Sequence, residues 1–115
     1  MMAKRNADNN YNTNLASEYL MMSLLSRAGK NAYLSLGNKK GVDIMVTSSN
    51  GHYAIVEVKG VNKKTDDWFV GSKGEFYSAP NLFYALFSFE SNILDILQPA
   101  QFWLVPSINF KRENY

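Results

Sequence analysis

The chain has no cysteine among its 115 residues. That excludes a disulfide framework and any zinc site built on thiolates, and it fits a reducing, cytoplasmic setting. Histidine occurs once, at His52 beside a turn, and no nucleophile elbow accompanies it, so a serine–histidine triad has no footing. No apolar run approaches the ~18 residues that a membrane-spanning helix needs. The opening MMAKRNADNN is polar and lacks the apolar stretch of a secretory signal. The seven glycines follow neither a dinucleotide-binding nor a phosphate-loop pattern. Acid is scarce where base is plentiful. From Arg27 to Lys64, only Asp43 and Glu57 oppose Arg27, Lys30, Lys39, Lys40, Lys59, Lys63 and Lys64. From Thr65 onward the balance reverses, and the whole chain carries a net charge of only +2. The basic part suits a polyanionic partner such as nucleic acid. A solvated lysine surface is the plainer reading of the same residues.

What is present argues for one packed domain. Hydrophobic residues make up 46% of the chain and aromatics 14%, enough for a core and too much for disorder. Residues 1–13 are expected to be disordered or loosely attached. A helix is predicted from Asn14 to Ala28, with Asn14 or Thr13 as N-cap and Gly29 as its stop. Leu15, Tyr19, Met22 and Leu25 or Ser26 follow helical spacing, and Met21 and Met22 read as core filler. Glu18 lies on or beside that apolar stripe, where a glutamate commonly just reaches water.

Strands are predicted at Asn31–Leu36, Val42–Val46 and Tyr53–Val58. Gly37–Gly41 and Ser48–Gly51 read as the turns between them. Asn62–Asp67 is a polar loop. Trp68 and Phe69 either anchor to the core or stack on bases of a single strand. Asn81–Phe89 reads as a fourth strand, central or well covered because aromatics and leucine lie on both faces, with a helix as the competing reading, and Ser91–Gln98 as a short helix or a bent loop. Phe102–Val105 is a last strand, closed by Pro106, and residues 108–115 form a polar tail. The expected fold is α+β (α/β): an N-terminal helix, then a mixed central sheet of about five strands, within one domain over residues 14–107.

The charges inside the second and third strands need a reason. Ile55, Glu57 and Lys59 share one face of their strand, and Ala54, Val56 and Val58 the other. Apolar residues on both faces suggest a strand covered on both sides, where an unpaired charge is expensive. If the two strands are neighbours, Asp43 lies beside Glu57, and two such carboxylates repel unless a cation sits between them. Oxygen ligands of this kind suit a hard divalent ion such as magnesium, Mg2+. The alternative is structural: an Asp43–Lys59 salt bridge across adjacent strands, with Glu57 at an edge.

Gly41-Val42-Asp43-Ile44, followed after thirteen residues from Asp43 by Glu57-Val58-Lys59, resembles the PD-(D/E)XK nuclease superfamily. That superfamily includes restriction enzymes and Holliday junction resolvases. The resemblance covers about residues 14–107 and implies a restriction endonuclease-like core. It implies metal-dependent phosphodiester hydrolysis, with Asp43, Glu57 and the Val58 carbonyl as ligands of Mg2+ or Mn2+. Lys59 would orient or deprotonate the attacking water, or stabilise charge on the phosphate, and Glu18 would join as an outer ligand. Lys39, Lys40, Lys63 and Lys64 would hold nucleic-acid phosphates, DNA being the expected partner. A homodimer is expected from the resemblance and from apolar surface such as NLFYALFSF. Val42 stands where many members have proline. The helix that usually follows the third strand is short or missing here. A variant group with a tryptophan-containing loop in its place matches better, through Trp68, Asn81–Phe89 and Val105-Pro106-Ser107. Two other readings stay open. One is a non-catalytic nucleic-acid or protein-binding module on the same fold. The other is an unrelated α+β interaction domain.

Overall fold

The computed structural model describes residues 2–35, 43–61, 78–89 and 93–109, with side chains of the first helix from Tyr11 onward. Lys39, Lys40, Lys63, Lys64, Trp68 and Phe69 lie outside the described residues, as does the chain following the third strand, where the resemblance has its helix.

Helix α1 spans Met2–Arg27. It begins well before the expected start at Asn14, so the segment expected to be loose is its first half. Neither proline nor glycine interrupts that segment. Thr13 is no cap: it is buried inside the helix, and its carbonyl accepts the Ser17 hydroxyl at 2.7 Å. A hydroxyl in mid-helix commonly satisfies itself this way on the preceding turn. The buried line of α1 therefore runs Thr13, Ser17, Met21, while Tyr19 is 56% exposed, a rotation from the predicted stripe. The C-terminus is as expected. Gly29 takes φ 75°. The Lys30 N–H then reaches the Leu25 carbonyl at 2.9 Å and the Gly29 N–H reaches that of Ser26 at 3.0 Å. This double closure satisfies carbonyls that the helix end would leave unpaired.

Five strands follow: β1 (Asn31–Leu34), β2 (Ile44–Thr47), β3 (Tyr53–Val61), β4 (Leu82–Ser88) and β5 (Gln101–Pro106). They form one sheet in sequence order, antiparallel throughout except for the parallel β3–β4 pair. The fold is α+β, one N-terminal helix with a five-stranded mixed sheet. The β2–β3 turn uses the predicted residues. Gly51 sits at φ 86°, the Gly51 N–H donates to the Ser48 carbonyl at 3.1 Å, and the Ser48 N–H to the His52 carbonyl at 2.9 Å. Residues 93–98 form turns, the bent-loop reading of that stretch. A 3-10 turn at Ser107–Asn109 follows β5, and the buried Ser107 hydroxyl both accepts the Ala79 N–H and donates to the Ala79 carbonyl, each at 2.9 Å.

Strand alternation divides the core. On the α1 face, Met21 packs with Ile44, Val56, Val58, Ala85 and Phe87. On the other face, Leu82, Tyr84 and Leu86 pack with Ile55, Ala79 and Val105. Thus β4 is apolar on both sides because both sides are covered, as a parallel-paired interior strand requires. The apolar surface expected from NLFYALFSF is therefore not there. Exposed apolar side chains lie instead on edge strand β5, where Phe102, Trp103 and Leu104 are 39%, 43% and 49% exposed.

Candidate active site

The register places the charged residues. Ile44 pairs with Val56 at the start of β2, so the next rung sets Asp43 beside Glu57. In β3 the Ile55 N–H points toward β4, donating to the Asn81 carbonyl at 2.8 Å. Alternation then turns the N–H and C=O of Val58 toward the β2 side, beyond the last β2–β3 pair. There the Asp43 carboxylate takes the place of a strand backbone: Oδ2 accepts the Val58 N–H at 2.7 Å. The Asp43 carbonyl meanwhile accepts the Ser35 N–H at 2.8 Å, which extends the β1–β2 ladder by one bond. Asp43 is thus fixed from both sides, with its carboxylate close to the sheet plane.

Glu57 and Lys59 project from the same face of β3, and they pair: Nζ lies 3.4 Å from Oε1. Glu57 is buried and Lys59 half-buried. The ion pair is therefore Lys59–Glu57, not the Asp43–Lys59 bridge of the structural alternative, and Glu57 is not at an edge. Glu18 comes from α1, half-buried and next to the fully buried Ser17. Burial raises its carboxyl above the usual range, and the nearby Asp43 charge raises it further. Burial likewise pushes the Asp43 carboxyl up, opposed by the Val58 N–H and by the Lys59 ammonium. Glu18 on α1 thus feels the charge of Asp43, and Asp43 at the head of β2 feels that of Lys59 on β3.

The donor set is oxygen only, in keeping with a hard cation. A carboxyl raised by a like-charged neighbour, as Glu18 is by Asp43, is what a cation would relieve. Among the described residues, no three acidic, histidine or cysteine side chains are gathered closely enough to hold a metal ion. The expected ligands Asp43, Glu57 and the Val58 carbonyl are oxygen donors of the type Mg2+ takes, and among the described residues they form no closed cage. The four lysines expected on phosphates lie outside the described residues.

Two features of the site escape sequence patterning. One is the Val58 N–H that anchors Asp43. The other is the close approach of α1 to β3 at Ser17 and Gly60, for which a glycine inside a strand, directly after Lys59, is the available sign. No helix among the described residues is long and apolar enough to cross a membrane. Comparison with models of known families, with curated proteins and with solved structures finds no match.

Proposed function

We propose that this chain is a magnesium-dependent nuclease of the PD-(D/E)XK type, cutting phosphodiester bonds in nucleic acid, DNA first. The observation that carries this reading is the anchoring of Asp43 on the Val58 N–H, between Glu57 and Lys59, with Glu18 close enough to feel its charge. The parallel fourth strand and antiparallel fifth after a three-strand meander agree with it.

In this reading Asp43, Glu57 and the Val58 carbonyl would hold the ion. A bound divalent ion polarises the phosphate and makes its water more acidic. The Lys59 ammonium, steadied by Glu57, lies where it can orient the attacking water and offset charge growing on the phosphate oxygens. Water adds to phosphorus, one P–O ester bond breaks, and the water proton ends on the departing oxygen. Glu18 accepts a hydrogen bond from water at the rim of the site. Lys39, Lys40, Lys63 and Lys64 hold backbone phosphates. A second copy of the chain is the other proposed partner, docking on β5. That edge strand exposes Phe102, Trp103 and Leu104, and the sequence has no charged residue from Ile96 to Phe110.

A non-catalytic nucleic-acid or protein-binding module is the second reading. The Lys59–Glu57 pair favours it, because Glu57 there has a counter-charge without a metal. Incubation with supercoiled, linear, single-stranded and four-way-junction DNA, with magnesium or manganese, separates the two. Cutting that disappears in Asp43→Ala and Lys59→Ala is expected. Cutting that survives both substitutions puts the chemistry elsewhere, and binding without cutting selects the module. Calorimetric titration with manganese, compared with Glu57→Ala, tests the ion site without a substrate.

A further inference from the structure

Glu18 reaches the site from the helix, whereas Asp43, Glu57 and Lys59 are fixed on the sheet. Something must set the distance between the two. Ser17, the residue before Glu18, is fully buried, and its hydroxyl donates to the Thr13 carbonyl of its own helix at 2.7 Å. It therefore asks for no partner on β3. Opposite it stands Gly60, the residue after Lys59. A methyl group on Gly60 would overlap the Ser17 Oγ and come within 3.2 Å of both the Ser17 Cβ and the Thr13 carbonyl. Helix and strand thus touch through a small, self-satisfied side chain on one side and bare backbone on the other. The contact lies one residue from Glu18 on α1 and one residue from Lys59 on β3. An added side chain at Gly60 meets the Ser17 hydroxyl, which must break its bond to Thr13 and turn away, or α1 must move or tilt.

We propose that Ser17 and Gly60 form a steric seat that positions Glu18 against Asp43. Both are positioning residues, since neither touches the reacting atoms. The effect on cleavage rests on the nuclease reading, whereas the seat itself does not. The seat predicts that Gly60→Ala displaces Glu18, and that trimming the opposing hydroxyl lets it return.

The test compares wild type, Gly60→Ala, Ser17→Ala and the Ser17→Ala/Gly60→Ala double variant. Backbone amide resonances of Glu18 and Asp43 are read alongside kcat and KM for DNA cleavage with manganese. In Gly60→Ala both resonances are expected to shift, and kcat to fall by about tenfold or more with KM little changed, as small misplacements of a catalytic group do. In the double variant, resonances and kcat return toward wild type, because the nearest colliding atom is gone. Unmoved resonances in Gly60→Ala, or a double variant that stays displaced, overturn the seat. If Gly60→Ala alone does not fold, the double variant decides: it must recover a folded state, with only the small shifts that the two remaining 3.2 Å contacts impose, and failure to fold overturns the seat. A wild-type protein that neither binds manganese nor cuts DNA overturns the nuclease reading instead, and the resonances then judge the seat alone.

Discussion

At residue 43 a single carboxylate both closes the backbone of β3 and brings negative charge to the candidate site. Substitution can separate those duties. Asp43→Ala leaves the Val58 N–H without its acceptor, and stability should fall by about 1–3 kcal/mol in denaturant titration. Asp43→Asn keeps an acceptor oxygen and should lose much less, yet both variants should lose manganese binding alike. Equal stability of the two variants would mean that the Val58 bond contributes little. The pH dependence follows from the raised carboxyls of Glu18 and Asp43. The folded chain keeps protons on them at a pH where the unfolded chain has released them. Their contribution is thus full at low pH and is lost as pH rises through the folded values. Glu18→Gln should flatten the decline in Tm from about pH 4 upward, where free carboxyls ionise. An unchanged slope in that variant would remove Glu18 from the coupled group.

At the scale of elements, the strands around the site were legible and the helix only partly so. Asp43, Glu57 and Lys59 stand out because charge interrupts β-branched runs on either side of a Ser-Asn-Gly turn, and the turn fixes the register that brings them level. The end of α1 was readable from Gly29. Its start was not, because Thr13 and Asn14 look like caps in a sequence, whereas Thr13 is buried within the helix and its carbonyl accepts the Ser17 hydroxyl. The same pair hid the phase of the helix. An apolar stripe was sought, but the closest contact with the sheet is made by small polar residues. The burial of β4 was legible, since leucine and aromatics on both faces read as a central or well-covered strand, but such a run does not say whether its cover is the chain itself or a partner. That burial predicts a large effect at Phe87, which lies 2% exposed and stacks on Phe102 with ring centroids 4.8 Å apart. Phe87→Ala should cost about 3–5 kcal/mol in chemical denaturation. A loss under about 1 kcal/mol would be that of an exposed position and would contradict the packing described.

For the whole molecule, the proposed second copy concerns the uncharged edge strand β5, whereas the proposed nucleic-acid partner rests on the basic part of the sequence. If a second copy docks along β5, sedimentation should show a dimer whose dissociation constant rises in Leu104→Glu, because two like charges would then be set near each other across the two-fold. DNA cleavage sites should stay where they are in that variant, since β5 is separated from β3 by β4. A monomeric wild type at high micromolar concentration would remove the second copy from the account.

The long interior strand β3 has a wider consequence. It carries Glu57 and Lys59, holds Asp43 through Val58, and is bonded to β2 on one side and β4 on the other. In deuterium exchange its amides should be among the slowest, opening only when the entire domain unfolds. Local fraying therefore cannot gate this floor of the candidate site. Whatever binds there must find it already assembled, and occupancy will register as a higher melting temperature of the whole chain.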